Sequence, residues 1–169
     1  MDKVALRNFA VNAKEKLEKE VRRKLELIGI TKNKIEEGIV SENDYLKIGN
    51  FELNKREIKQ REILVKTLKE KVKEGNFQDA LNELIEEIAY TWFNRIIAIR
   101  FMEVNDYLND RIRILSSERE NDREPQIIRE VFNTDLEFSD DEKNYVYNLK
   151  EESKTEELFR FLFIKKCNK

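Results

Sequence analysis

Residues 77–108 read FQDALNELIEEIAYTWFNRIIAIRFMEVNDYL, with no glycine or proline to interrupt them. At 100° per residue, Trp92, Phe93, Ile96, Ile97, Ile99, Phe101 and Val104 cover most of the helical circumference. A helix that is apolar nearly all round belongs in the interior of its domain. The stretch therefore predicts a long central helix whose remaining polar strip carries Asn94, Arg95 and Asn105. The fold it predicts is all-α, an irregular helical bundle around one long buried helix at about 77–108.

The flanking sequence supplies the helices that would surround it. Asp2 is placed to cap a first helix, and Leu6, Ala10, Ala13, Leu17, Val21, Leu25 and Ile28 form one apolar stripe up to Gly29, the expected left-handed stop. A short helical turn is expected over 31–37. Tyr45 to Leu53 reads as a small β-hairpin turning at Gly49-Asn50. Asn54 with Glu57 makes a capping box for a helix to about Glu74, and Asn76 caps the central one. Arg111-Ile112-Arg113-Ile114 alternates with period two and predicts a short extended segment. Pro125 fits the first position of a helix reaching Phe132. Ser139 with Glu142, and Ser153 with Glu156, predict capping boxes for two last helices.

Composition narrows the chemistry. The chain has 169 residues, 33 basic and 35 acidic, with one cysteine, one proline, four glycines and no histidine. A single domain over 1–169 is expected, long enough to bury roughly 70% of its unfolded surface. Without histidine there is no Ser-His-Asp triad, no Cys-His pair and no imidazole metal ligand. Cys167 alone makes neither a zinc site nor an internal disulfide, which fits a reducing cytoplasm. The glycines stand singly, so no phosphate-cradling loop can be written. No apolar run reaches the ~18 residues of a membrane helix. No catalytic, cofactor-binding or metal-binding residue is expected in this chain.

Charge is unevenly spread. Lys55–Lys73 holds eight basic against three acidic residues, whereas Glu118–Glu157 holds fourteen acidic against six basic. The first stretch suits phosphate or an acidic partner, and the second repels nucleic acid.

A few residues carry sharper expectations. Arg100 and Glu103 lie one turn apart among apolar positions and are expected to form a buried ion pair. On that expectation, removing Arg100 alone costs a few kcal/mol and neutralising both costs much less. Asn94, Arg95, Asn105, Arg111, Arg113, Ser116 and Ser117 are the candidate DNA or partner contacts, since arginines and hydroxyls bond phosphate oxygens. For Arg111 and Arg113 the competing expectation is an edge segment with Ile112 and Ile114 packed inward. Leu158, Phe159, Phe161 and Phe163 surround the last helix, which predicts one side left bare as an interface, or a homodimer contact of the chain taken alone.

Ala89-Tyr90-Thr91-Trp92-Phe93-Asn94-Arg95, then Arg100 to Leu108, then Arg113-Ile114-Leu115-Ser116-Ser117, together resemble the start of PglX-type adenine-specific DNA methyltransferases of bacterial BREX phage-defence systems. Ala5 to Ala10, Glu124-Pro125, and Leu158-Phe159 through Asn168 are similar too. The resemblance implies a cytoplasmic, DNA-modifying parent enzyme that uses S-adenosylmethionine. It also implies a glycine-containing cofactor motif and an Asn-Pro-Pro-Tyr motif, and neither occurs in this chain. The chain is therefore expected to be the non-catalytic N-terminal domain, docking the catalytic domain or another defence-system protein. The alternatives are a direct DNA-backbone-binding module and a free-standing helical interaction protein.

Overall fold

The computed structural model describes residues 2–40 and 45–168. It is mostly helical, with six α-helices and one small sheet among those residues: α1 (Lys3–Leu27), β1 (Ile39–Val40), β2 (Leu46–Ile48), β3 (Phe51–Leu53), α2 (Lys55–Val72), α3 (Phe77–Val104), α4 (Gln126–Arg129), α5 (Asp140–Glu151) and α6 (Thr155–Cys167). A 3-10 turn, Val131–Asn133, follows α4. The chain divides into two compact units, Met1–Phe93 and Asn94–Lys169.

In the first unit, α1, α2 and the first half of α3 share a core of Leu25, Ile30, Leu68, Ala80, Leu81, Leu84 and Ile85. The helix starts follow the sequence. Asp2 accepts hydrogen bonds from the Val4 and Ala5 amides, and Asn54 with Glu57 forms a full capping box. The Asp79 amide donates to the Asn76 side chain at 2.9 Å. Helix α1 ends in a Schellman motif: the Gly29 amide donates to Glu26 O, the Ile30 amide to Leu25 O, and Gly29 takes φ +77°. The Arg61 guanidinium reaches the Ile28 carbonyl at 2.7 Å and the Glu36 carbonyl at 2.5 Å. It thereby satisfies one acceptor that the end of α1 leaves open and ties it to the loop that follows.

The expected hairpin forms. Ile48 pairs with Phe51 across Gly49-Asn50, and only Gly49 has positive φ there, the pattern of a II′ turn. Ile39–Val40 adds a third antiparallel strand that the sequence did not announce. The helical turn expected over 31–37 is absent. An isolated Ile30–Ile35 bridge takes its place, with the Thr31 hydroxyl donating to the Lys34 carbonyl. That hydroxyl offers the backbone a local alternative to a helix.

Helix α3 stops at Val104, short of the expected 108, and it is not enclosed. In its last turns only Ile99 and Glu103 are buried, and Trp92, Phe93 and Ile96 are half-buried. Ile97, Phe101 and Val104 remain 40%, 58% and 65% exposed. An apolar perimeter records what water would disfavour; it does not supply the elements that exclude water. Here the elements that cover these turns leave one side open.

The second unit buries Ile112, Ile114, Ile127, Val131, Val146, Leu149, Leu158 and Leu162. Ser139 and Glu142 form the expected capping box of α5. Ser153 does not cap α6. It closes α5 instead at φ +55°, its amide donating to Lys150 O and that of Lys154 to Leu149 O. A left-handed serine costs about 1–2 kcal/mol that glycine avoids. Ser153→Gly is therefore expected to stabilise the protein by about 1 kcal/mol, read as a raised urea midpoint. A lowered midpoint would contradict this account of the helix end.

Candidate functional site

The last turns of α3 and the irregular chain after it bring most of the sequence-selected residues together. Glu103 is the centre. Its side chain is fully buried, and the Arg100 guanidinium lies 2.8 Å away with half its side chain in solvent. The expected ion pair thus has one buried and one exposed member. Glu103 also accepts the amides of Ile114 and Leu115, and the Ser116 hydroxyl stands between Arg100 and Glu103. The carboxylate therefore holds a loop to a helix. No sequence pattern announces this, because Ile114 lies eleven residues beyond Glu103, and the alternation at 111–114 marks which side chains pack inward, not which backbone amides a distant carboxylate accepts.

Residues 111–114 form no strand. Arg111 sits at φ +56°, and Ile112 and Ile114 are buried at 4% and 1% exposure. The alternation marked inward packing of the isoleucines around a kinked backbone. Arg113 is half-buried, its guanidinium donating to the Ser117 carbonyl and its amide to the Gln126 side chain. Ser117 bonds Asp122 and receives a bond from Arg129, which pairs with Asp122 as well. The Glu124 amide, then Ser117 and Arg129, hold the Asp122 carboxyl below its ordinary range. Arg113, Ser116 and Ser117 are thus engaged within the chain. Arg111, Asn94, Arg95 and Asn105 lie at the surface, Asn105 donating back to the Phe101 carbonyl.

One buried network escaped sequence analysis. Lys166 pairs with Asp110 and Asp135, and Asp110 also accepts the Ile112 and Asp135 amides. The only local signal was an aspartate placed to accept the amide two residues on, as Asp122 does for Glu124.

Helix α3 ends in its own Schellman motif. Asp106 takes φ +54°, its amide donates to Glu103 O and the Tyr107 amide to Met102 O. Tyr107 meets Phe101 edge to face at 5.8 Å, the apolar contact that accompanies such a cap. Both rings nevertheless stay about three-fifths exposed, at 61% and 58%.

The last helix does not leave the bare side expected for it. Leu158, Leu162 and Phe163 are buried, and Phe159, Phe161 and Ile164 are half-buried. Phe159 stacks on Phe163, and Phe161 meets Tyr145 at 5.4 Å and Phe138 at 6.3 Å. Helices α4 and α5 and the chain before α5 surround α6, so the apolar density at 158–164 was the mark of a core helix. Burial also pushes the Cys167 thiol up from its ordinary pKa.

Elsewhere the surface offers less. On α2, Arg61 and Lys71 are tied to neighbours, Lys71 to Glu83 and Glu87, while Arg56, Lys59, Lys66 and Lys73 are exposed. A cleft of about 330 Å3 in the second unit lies among Arg129, Lys150, Ser153 and Thr155. No group of three His, Cys, Asp or Glu residues placed for a metal occurs among the described residues, and no helix there is long and apolar enough to cross a membrane. Gly29 and Gly38 abut the Ile48 and Leu46 side chains, Gly49 turns the hairpin, and Gly75 stands in open space between two helices, so none forms a nucleotide cradle.

The chain is similar to the adenine-specific methyltransferase PglX of Lacticaseibacillus casei (strain Zhang), 45% identical over 135 residues, 78% of this chain and 11% of that protein. It is also similar to the adenine-specific methyltransferase BrxX of Escherichia coli O9:H4 (strain HS), 31% identical over 115 residues, 66% of this chain and 9% of that protein. The chain thus spans about a tenth of the length of these curated relatives. No family model matches it.

Proposed function

We propose, from the premise that this chain is homologous to a segment of the PglX-type adenine-specific methyltransferases, that it is the non-catalytic N-terminal domain of such an enzyme in a BREX-type phage-defence system. Its work is to dock the catalytic part of the enzyme or a partner protein, in the bacterial cytoplasm. The parent binds S-adenosylmethionine and modifies DNA; this segment supplies neither activity. The observation that carries the proposal is the coverage, with 78% of this chain matched inside 11% of PglX. A segment without a nucleotide cradle fits a supporting part of such an enzyme better than its reaction centre. The exposed cations of α2 support a second reading, direct contact with the DNA backbone.

The test is a chimera in which this chain replaces the matching segment of the L. casei protein. Adenine methylation is expected to survive the exchange, whereas the isolated chain is expected to show no calorimetric binding of S-adenosylmethionine. Stoichiometric cofactor binding by the isolated chain at micromolar affinity would overturn the proposal.

A further inference from the structure

Helix α2 shows charge to solvent, and α6 is covered, but the end of α3 shows solvent an apolar face. Ile97, Phe101 and Val104 lie at spacings of four and three, one line along the helix, and Tyr107 continues it past the cap. The cap accounts for the contact between Tyr107 and Phe101. It does not account for two aromatic rings, a valine and an isoleucine left between two-fifths and two-thirds exposed in one place.

The patch is also rigidly held. Asp106 and Arg111, both non-glycine residues in left-handed conformation, bracket Tyr107 and the turn after it. Such conformations persist only where the surroundings over-determine them. Glu103 fixes the loop from one side, at Ile114 and Leu115, and Asp110 fixes it from the other, at Ile112 and Lys166. Exposed aromatics on a fixed backbone with an arginine nearby have the composition of an interface centre, because little backbone freedom remains to be lost on binding.

We infer that the end of α3, with Phe101 and Tyr107 at its centre, is the surface on which the rest of the methyltransferase polypeptide docks. This rests on the function proposed above. The occupant follows from two observations. The homologous segment occurs in polypeptides about nine times as long, so a covering surface of the same chain is at hand there. Of the charged groups beside the patch, Arg100 is already paired with Glu103, which leaves one exposed acid, Asp106, and one exposed base, Arg111, so the complement is an apolar surface rather than a charged one such as the DNA backbone.

The experiment places a photo-cross-linking phenylalanine analogue at position 101, and separately at exposed Ile63 on α2, in the L. casei chimera. Position 101 is expected to cross-link to peptides outside the exchanged segment, and position 63 is not. Phe101→Asp is expected to reduce methylation by the chimera roughly tenfold or more, while lowering the melting midpoint of the isolated chain by no more than a few degrees, the share of the lost Tyr107 contact and of an acid in the last turn of the helix. A soluble chimera that methylates adenine but gives no cross-link from position 101 overturns this surface and leaves the proposed function standing. Cross-links from position 101 only to a second copy of the chain, or only to DNA, overturn it as well. A chimera without methylation whose position 101 still cross-links counts against the proposed function and not against the surface.

Discussion

Glu103→Leu is expected to cost roughly 3–5 kcal/mol, and adding Arg100→Met is expected not to recover it. Were the two residues a closed buried pair, removing both charges would be nearly neutral. The structure changes the terms. Glu103 is fully buried and accepts four groups: the Arg100 guanidinium, the Ser116 hydroxyl and the amides of Ile114 and Leu115. Leucine in its place leaves two backbone amides without acceptors, at about 1–3 kcal/mol each where they are buried, and releases the loop they anchor. Half of the Arg100 side chain is in solvent, so Arg100→Ala is expected to cost about 1 kcal/mol or less. Glu103→Gln keeps one acceptor oxygen and falls in between. Urea melts of the four variants decide the matter. A double variant as stable as the unaltered protein would show that the loop amides do not depend on the carboxylate.

The same residues show what the sequence makes legible. Helix starts are written in single side chains, and Asp2, Asn54, Asn76 and Ser139 all cap as their spacing implies. Helix ends are written only where glycine carries the positive φ. Gly29 could be read, whereas Asp106 and Ser153 perform the same Schellman closure and could not. The i,i+3 pairing of Arg100 with Glu103 follows from helix geometry alone. The amides that complete the site lie across an irregular loop, and the Lys166–Asp110–Asp135 network joins residues up to 56 positions apart. Neither has a period to betray it. The largest misreading, that α3 is enclosed and α6 has a bare side, has a single cause. Both helices are apolar around their circumference, and only the tertiary arrangement decides which receives cover.

Gly29→Ala is expected to destabilise the protein by about 3 kcal/mol. At φ +77°, an L-residue costs about 1–2 kcal/mol in backbone strain alone. A Cβ there would also stand 2.7 Å from Ile48 Cγ2 and 3.2 Å from Glu36 Cβ. Ile48 is buried in the hairpin and cannot swing aside, so the clash adds an overpacking cost of about 1–3 kcal/mol. The reduced freedom of the unfolded alanine chain returns only about 0.4–1 kcal/mol. Two sister variants separate these contributions. Gly49→Ala carries the same kind of strain at φ +57° but meets nothing within 4 Å, so it is expected to cost only the backbone part. Gly75→Ala has neither strain nor a neighbour and is expected to be neutral or slightly stabilising. Thermal or urea unfolding of the three should rank them Gly29, Gly49, Gly75 by loss of stability. Equal losses at Gly29 and Gly49 would mean that the hairpin does not press on the end of α1. The Schellman turn would then close that helix without help from the sheet.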